Sequence, residues 1–471
     1  MLQLTRWTLV FSSPVFLFVF FPIVWILNAL LPEKARLFFL LAVSLVFYAY
    51  GEGAFVVLML LSILFSYFTN LAIQKNDGRK RLFATLGIVL NLVILVVFKY
   101  MNFFTGELHA LLADFSVDFP VTDMHLPLGI SFFTFQAISS IVDVYRNPKQ
   151  PRVTLPGTAL YISFFPQLIA GPIVRYNYFI PQIRKMAVHY AAFLYGAKRF
   201  IYGLSKKILV ANTLATVNDK IFALRAEQLG TFTALSGIIL FSLQLYFDFS
   251  GYTDMAIGLA RMFGIKIPEN FNYPYMSRTA SEYWRRWHIS LSSWIRDYVY
   301  IPLGGSRGGL ARTYFNLWVV FVLCGLWHGA SWNYVIFGVV AAFMVSTERL
   351  FKGFFQKRGI VFSIFYMLLY YTLLYGSFRT TSLAHMREFL LAVFVPQASP
   401  VPLGSLMNWQ GWVAAAVGAV LIFPVYPKLK NSIVNKTAFA VFEAVLALVL
   451  FAASISQSSM VFSDPFIYFR F

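Results

Sequence analysis

Charge is scarce in this chain. Only 12% of its 471 residues are Asp, Glu, Lys or Arg, against about 25% in a soluble domain. Acidic side chains are rarest, 19 against 38 Lys and Arg. A single cysteine, Cys324, excludes an internal disulfide and any cysteine-built zinc site. In its apolar setting it reads as a core residue. No serine nucleophile elbow or metal-ligand spacing occurs, so no metal and no bound cofactor are expected. "GGSRGG" at 304–309 lacks the order of a phosphate-binding loop and reads as a tight turn. There is no fixed-period repeat and no low-complexity linker.

Apolar sequence fills the chain instead: 59% hydrophobic and 19% aromatic. A spanning helix needs roughly 20 apolar residues. Charge-free runs recur at 7–32, 53–74, 82–98, 126–142, 153–174, 228–247, 313–347, 359–378 and 410–426, and 437–462 carries only Glu443. Weaker segments at 37–51, 190–212 and 249–264 add short, tilted or buried spans. This predicts an all-α polytopic membrane protein with about ten to twelve spans in a single membrane-embedded domain, 1–471. A spanning barrel would show weak alternating segments instead. In such a chain the net charge of +19 marks cytoplasmic loops rather than nucleic-acid binding. Arg79 to Arg81, Lys198-Arg199 with Lys206-Lys207, and Lys428 to Lys436 are the clusters assigned to that use. The first apolar run is too long for a signal-peptide core and lacks a small-residue cleavage site, so it is expected to be retained.

Some apolar segments carry polar or helix-breaking residues. Residues 126–146 hold Ser131, Thr134, Gln136, Ser139 and Ser140. Small and hydroxylated residues let membrane helices approach closely, so this segment is expected to face protein. Residues 164–176 are interrupted by Pro166, Gly171 and Pro172. Broken backbone at membrane depth is tolerated only inside protein or against a wet cavity.

Arginine gathers at 265–312, a stretch without a spanning run. Within "SEYWRRWHISLSSWIRDYVYIPLGG" (281–305), a helix at about 100° per residue puts Trp284, Trp287, Leu291, Trp294, Ile295 and Tyr298 on one arc. Arg285, Arg286, Arg296 and Asp297 lie opposite, with Ile289 among them. One amphipathic interfacial helix is predicted, with His288 at the edge of its apolar arc. The run 313–347 would reach ~50 Å as one helix, beyond a ~30 Å hydrocarbon core. A bent pair of half-helices, or a span with a re-entrant piece, is therefore predicted around "CGLWHGASW" (324–332).

An ionisable residue inside a membrane is a functional candidate by default. Of six histidines, His109, His125, His189 and His385 lie near polar sequence and read as structural or solvated. His288 and His328 sit in aromatic sequence. A neutral imidazole can take a proton from a hydroxyl attacking a thioester. It can equally be a packed helix-to-helix hydrogen bond, and the residues alone leave both readings standing. "QLYFDFSGYTDMAIGLA" (244–260) carries Asp248, Tyr252 and Asp254. Six residues apart, the two carboxylates fall on different helix faces. A proton or substrate path and a buried network locking helices are both open, the latter favoured.

Taken in order, "VFSSPVFLFVFFPIVW", "LPLGISFFTFQAISSIVDVYR", "PQLIAGPIVRY", "QLYFDFSGYTDMAIGLA", "NFNYPY", "EYWRRWHISLSSWIRDYVYIPLGG", "GLWHGASW" and the terminal "FIYFRF" resemble the motifs of the membrane-bound O-acyltransferase superfamily, in its bacterial alginate O-acetyltransferase branch. The resemblance runs over nearly the whole chain. It implies a helical fold with re-entrant or interfacial helices around a transmembrane tunnel, in a bacterial inner membrane. His328 matches the histidine treated as catalytic in that family, and His288 a second functional position. The implied donor is acetyl-CoA from the cytoplasm. The implied partners are the lipid bilayer, an extracytoplasmic SGNH-type acetyltransferase and a secreted polysaccharide. Trp284, Arg285, Arg286, Trp287, Arg296, Asp248, Tyr252 and Trp327 are the candidate donor-binding or tunnel-lining residues. The arginines would meet coenzyme A phosphates or, equally, lipid headgroups. Gly325 and Gly329 would leave room for substrate beside the backbone. Alginate or a similar exopolysaccharide is the leading acceptor, with peptidoglycan next. A transporter and a non-enzymatic scaffold remain as other classes.

Overall fold

The computed structural model describes residues 9–458, apart from 150, 185, 188 and 434, together with 466 and 467. Among these the regular structure is helical, with no strand. Among the described residues, six helical stretches are long and apolar enough to cross a membrane: Glu33–Lys75, Asp77–Ala113, Thr231–Met262, Gly309–His328, Ile360–Arg379 and Lys436–Ser458. Trp409–Leu421 and Val425–Ser432, bent by 63°, make a seventh if counted as one span. Other apolar runs form shorter helices, such as Ile130–Arg146 and Leu155–Ser163. Large apolar side chains stand exposed along the spans, among them Phe315, Phe365, Leu448 and Val449. A water-facing surface does not carry such continuous apolar cover, whereas lipid accepts it. The chain is a multi-pass membrane protein.

The chain divides into two compact units, 1–200 with 253–268, and 201–252 with 269–471. In the first unit the helix Ile130–Arg146 is buried along nearly its whole length, as its small and hydroxylated residues predicted. Asn70 Nδ2 donates to Ser140 Oγ at 3.1 Å, and Lys99 Nζ to Ser131 Oγ at 3.3 Å. Ser62 Oγ donates to Asn91 Oδ1 at 2.6 Å. The interrupted segment 164–176 is buried in protein. Gln167 Nε2 there donates to Tyr161 O at 2.6 Å, and Tyr161 Oη to Val174 O at 2.7 Å. The backbone groups freed by Pro166 and Gly171 thus lie in a protein interior, where they can find partners.

The second unit holds both histidines of interest. The run 313–347 resolves into two helices, Gly309–His328 and Trp332–Leu350, joined by three residues. A Cβ added to Gly325 would lie 2.1 Å from Tyr334 O, and one on Gly338 2.5 Å from Phe321 O. The matching descent and ascent of these positions makes the pair an antiparallel hairpin with backbones in close contact. Gly329 lies under the Tyr334 ring, 2.1 Å from where its Cβ would be. The space that Gly325 and Gly329 were expected to leave for substrate is therefore filled by the hairpin itself.

Two further expectations are corrected here. Residues 281–305 do not form one helix: Ala280–Arg286 and Ile289–Ile295 are separate, with Trp287 and His288 between them. Lys207, assigned to a basic loop, is buried in a helical turn with its Nζ 2.7 Å from Asp248 Oδ1. Arg199, from the same cluster, pairs with Asp254 at 2.7 Å. A run of basic residues reports composition, whereas a carboxylate from a distant segment decides which of them leaves the surface.

Candidate active site

His328 is the last residue of the helix Gly309–His328, and His288 precedes the first turn of Ile289–Ile295. Both are buried, at 3% and 0% exposure. Trp327 joins them: its ring centroid is 5.8 Å from that of His288 and 4.9 Å from that of His328. Phe249 meets the His288 ring edge-on at 4.7 Å. Phe337 and Phe378 close on His328 at 5.1 and 5.6 Å. Two imidazoles thus share an aromatic enclosure.

Their hydrogen bonds fix the protons. His328 Nδ1 lies 2.7 Å from Cys324 O. A carbonyl only accepts, so Nδ1 carries the hydrogen and Nε2 the lone pair. His288 Nδ1 lies 3.1 Å from Asn270 Oδ1, and the same tautomer follows. Burial, and then the nearby His328, hold the His288 imidazole well below the ordinary histidine value. It is neutral at physiological pH, because desolvation penalises the charged form.

The supporting residues come from several elements. Glu348 accepts from the N–H groups of Ala280 and Ser281 and from Tyr366 Oη. This carboxylate satisfies orphan donors at the start of Ala280–Arg286 and ties that helix to the hairpin. Trp284 Nε1 donates to Tyr370 Oη at 2.8 Å. Tyr275 Oη donates to Ser242 O at 2.6 Å, which commits its one proton. Tyr375 therefore donates to Tyr275 at 3.1 Å, and Tyr283 to Tyr375 at 2.7 Å. Burial raises Tyr275 and Tyr283 well above the ordinary phenol value, so the chain of hydroxyls stays protonated. Trp287 stacks on Tyr283 at 5.5 Å. The hydroxyl chain thereby braces the indole that precedes His288.

The candidates from sequence divide into three groups. Trp287, His288, Trp327 and His328 are brought together, with Phe249 against both Trp287 and His288, and Trp284 reaches His328 through Phe337. Asp248 and Tyr252 lie on Thr231–Met262 beside the C-terminal segment: Asp248 Oδ2 accepts from Ile467 N–H at 2.8 Å, and Tyr252 stacks on Phe466 at 4.6 Å. The arginines form the third group. Arg286 is paired with Glu282 at 2.9 Å and Arg296 with Asp297 at 2.7 Å, while Arg285 is exposed. Of the terminal "FIYFRF", residues 468–471 lie outside the described residues. Asn270, Tyr275, Tyr283, Tyr375 and Glu348 had no role assigned from sequence. "NFNYPY" was the available signal for the first two. Tyr283 lies within the quoted "EYWRRWH" stretch, whereas Tyr375 and Glu348 carry no local mark, since their partners come from distant segments. Among the described residues, no three His, Cys, Asp or Glu side chains cluster as metal ligands.

The model of the membrane-bound O-acyltransferase (MBOAT) family matches residues 43–373, which include both histidines. The chain belongs to this family. Over 348 residues it is 43% identical to a protein named "Probable alginate O-acetylase AlgI" from Azotobacter vinelandii, covering 73% of this chain and 69% of that protein. It is 37% identical over 383 residues to a peptidoglycan O-acetyltransferase of Helicobacter pylori, covering 74% of this chain and 72% of that one. A teichoic acid D-alanyltransferase of Bacillus subtilis is 32% identical over 243 residues, covering 49% of this chain and 60% of its own. Family membership and the first two relatives make this membrane-bound O-acyltransferase an O-acetyltransferase.

Proposed function

We propose that the protein transfers an acetyl group from cytoplasmic acetyl-CoA, through a tunnel enclosed by ten to twelve crossings of a bacterial inner membrane, to a hydroxyl on the far side. The acceptor is alginate or a similar exopolysaccharide, reached through an exported SGNH-type partner. The observation that carries the reading is the pairing of His288 and His328 across Trp327, each with Nδ1 committed as a donor. Both Nε2 atoms then offer lone pairs rather than protons.

In this mechanism His328 Nε2 takes the proton of the acceptor hydroxyl as its oxygen attacks the thioester carbon. The carbon–sulfur bond breaks, and the leaving coenzyme A thiolate takes that proton from His328, which returns to its neutral form. The ring stands at the carbonyl end of its helix, where developing positive charge is favoured. In the same tautomer His288 accepts rather than donates. It therefore holds a donor N–H or O–H of the substrate and does not bond the carbonyl oxygen. The low-dielectric aromatic enclosure keeps water from competing for the thioester. Arg285 and Arg296, both exposed, are the candidate arginines open to an anionic group from solvent.

The Helicobacter relative supports peptidoglycan as the second acceptor, with the same chemistry. The transporter reading loses its main residues, because Asp248 and Asp254 are each committed to a cation, Lys207 and Arg199. The test is incubation of the purified protein with acetyl-CoA and acceptor polymer. Coenzyme A release and polymer acetylation that vanish in His328→Ala support the proposal. Unchanged acetylation by an inserted His328→Ala protein would overturn it.

A further inference from the structure

We propose that Asn270 is the positioning residue of His288, holding its imidazole in one tautomer and one orientation through a clasp on three consecutive residues. The proposal rests on the acyl-transfer reading of His288.

Asn270 is 1% exposed and reaches each of residues 288 to 290. Its backbone oxygen accepts from Ile289 N–H at 2.9 Å. Its Oδ1 accepts from Ser290 N–H at 3.1 Å, from Ser290 Oγ at 2.9 Å and from His288 Nδ1 at 3.1 Å. The Ser290 amide can only donate, so the Asn270 amide oxygen must face this cluster. A flipped amide would set Nδ2 against an N–H. An oxygen so placed leaves His288 one arrangement, with its hydrogen on Nδ1 and its lone pair on Nε2.

The backbone makes the same case. His288 occupies the left-handed region, φ 44° and ψ 54°. A non-glycine residue stays there only where its surroundings over-determine it. The clasp takes the first N–H groups of Ile289–Ile295, which no His288 side-chain cap satisfies. This is the physical reason that one amphipathic helix becomes two. A pure capping role explains the bonds to Ile289 and Ser290. It does not need the third donor, which is the imidazole itself. Phe249 and Trp327 then restrict the ring's remaining motion.

The two roles separate experimentally in the full-length protein, with acetyl-CoA as probe and coenzyme A release followed against pH. Asn270→Asp keeps every acceptor and caps the helix at least as well, but places a negative charge beside an imidazole that burial first, and His328 second, otherwise hold neutral. Positioning predicts that the acid limb of the rate profile moves up by about one pH unit or more. Asn270→Leu should lower kcat on the order of 10- to 100-fold, as for outer partners of functional histidines, with KM for acetyl-CoA nearly unchanged. An Asn270→Asp profile that superimposes on the wild type overturns the proposal and leaves a helix cap only. Should Asn270→Leu fail to fold, the Asp variant decides. His288→Gln separates the two claims. Wild-type turnover in His288→Gln removes the acyl-transfer role of His288 and this proposal with it. An inactive His288→Gln beside an unshifted Asn270→Asp overturns the clasp alone.

Discussion

The Nδ1 of His328 and the carbonyl oxygen of Cys324, one helical turn back, lie 2.7 Å apart. That bond leaves Nε2 as a proton acceptor at the end of a helix, inside an aromatic enclosure. Replacing His328 with Gln keeps a polar side chain of similar reach but removes the proposed base. Acetyl transfer should fall roughly 10²- to 10⁴-fold, the usual worth of a general base. Thermal unfolding in detergent checks that the loss is chemical, since melting should stay close to wild type.

Lys207 and Asp248 form a buried pair at 2.7 Å, with side chains 5% and 3% exposed. Removing one partner takes from the other a buried counter-charge at close range. Lys207→Met should destabilise by about 3–5 kcal/mol. Lys207→Met with Asp248→Leu should cost less than the single change, although it leaves the Ile467 N–H without its acceptor. Denaturation midpoints of the two variants are the measurement. A double variant less stable than the single would refute the ion-pair account.

Gly325 permits the hairpin's close backbone approach. Gly325→Ala should cost about 1–3 kcal/mol through overpacking, because its Cβ would strike the main-chain oxygen of Tyr334. Gly404→Ala meets nothing within 4 Å and serves as the control. Equal melting temperatures for the two variants would contradict the packing assigned to Gly325.

His288 gives a pH dependence with a defined sign. Its folded value is depressed below the unfolded one, near 6.5. The unfolded chain therefore binds this proton first as pH falls. The associated stability is complete above about pH 6.5 and declines as pH drops toward the folded value. Unfolding measured between about pH 7 and pH 5 should show a steeper loss for the wild type than for His288→Gln. Parallel curves would count against a buried neutral imidazole.

Much of the candidate site's composition was legible without coordinates. His288 and His328 stood out because a titratable ring in aromatic sequence is costly in a membrane. Trp284, Trp287 and Trp327 followed from the same segments. The burial of Ile130–Arg146 was readable from its serines, and the break in 313–347 from its length. The arc drawn through 281–305 correctly put Trp284, Trp287 and Trp294 on the buried side, yet it missed the interruption at Trp287 and His288. Hydrophobic period survives such a break, and the residue that causes it, Asn270, lies in another segment.

The sequence by itself determined the solvent of this protein, its helical class and the few polar residues that lipid would not accept. Each of these depends on local composition: apolar length, side-chain period and the cost of burying charge. The tertiary structure alone decided partnership. It joined His288 to His328 through Trp327, turned Lys207 from a loop charge into the partner of Asp248, and filled the space at Gly325 and Gly329 with backbone and the Tyr334 ring. Hydrogen bonds, ion pairs and ring contacts act over a few ångströms, and which distant segments come that close is a property of the folded chain.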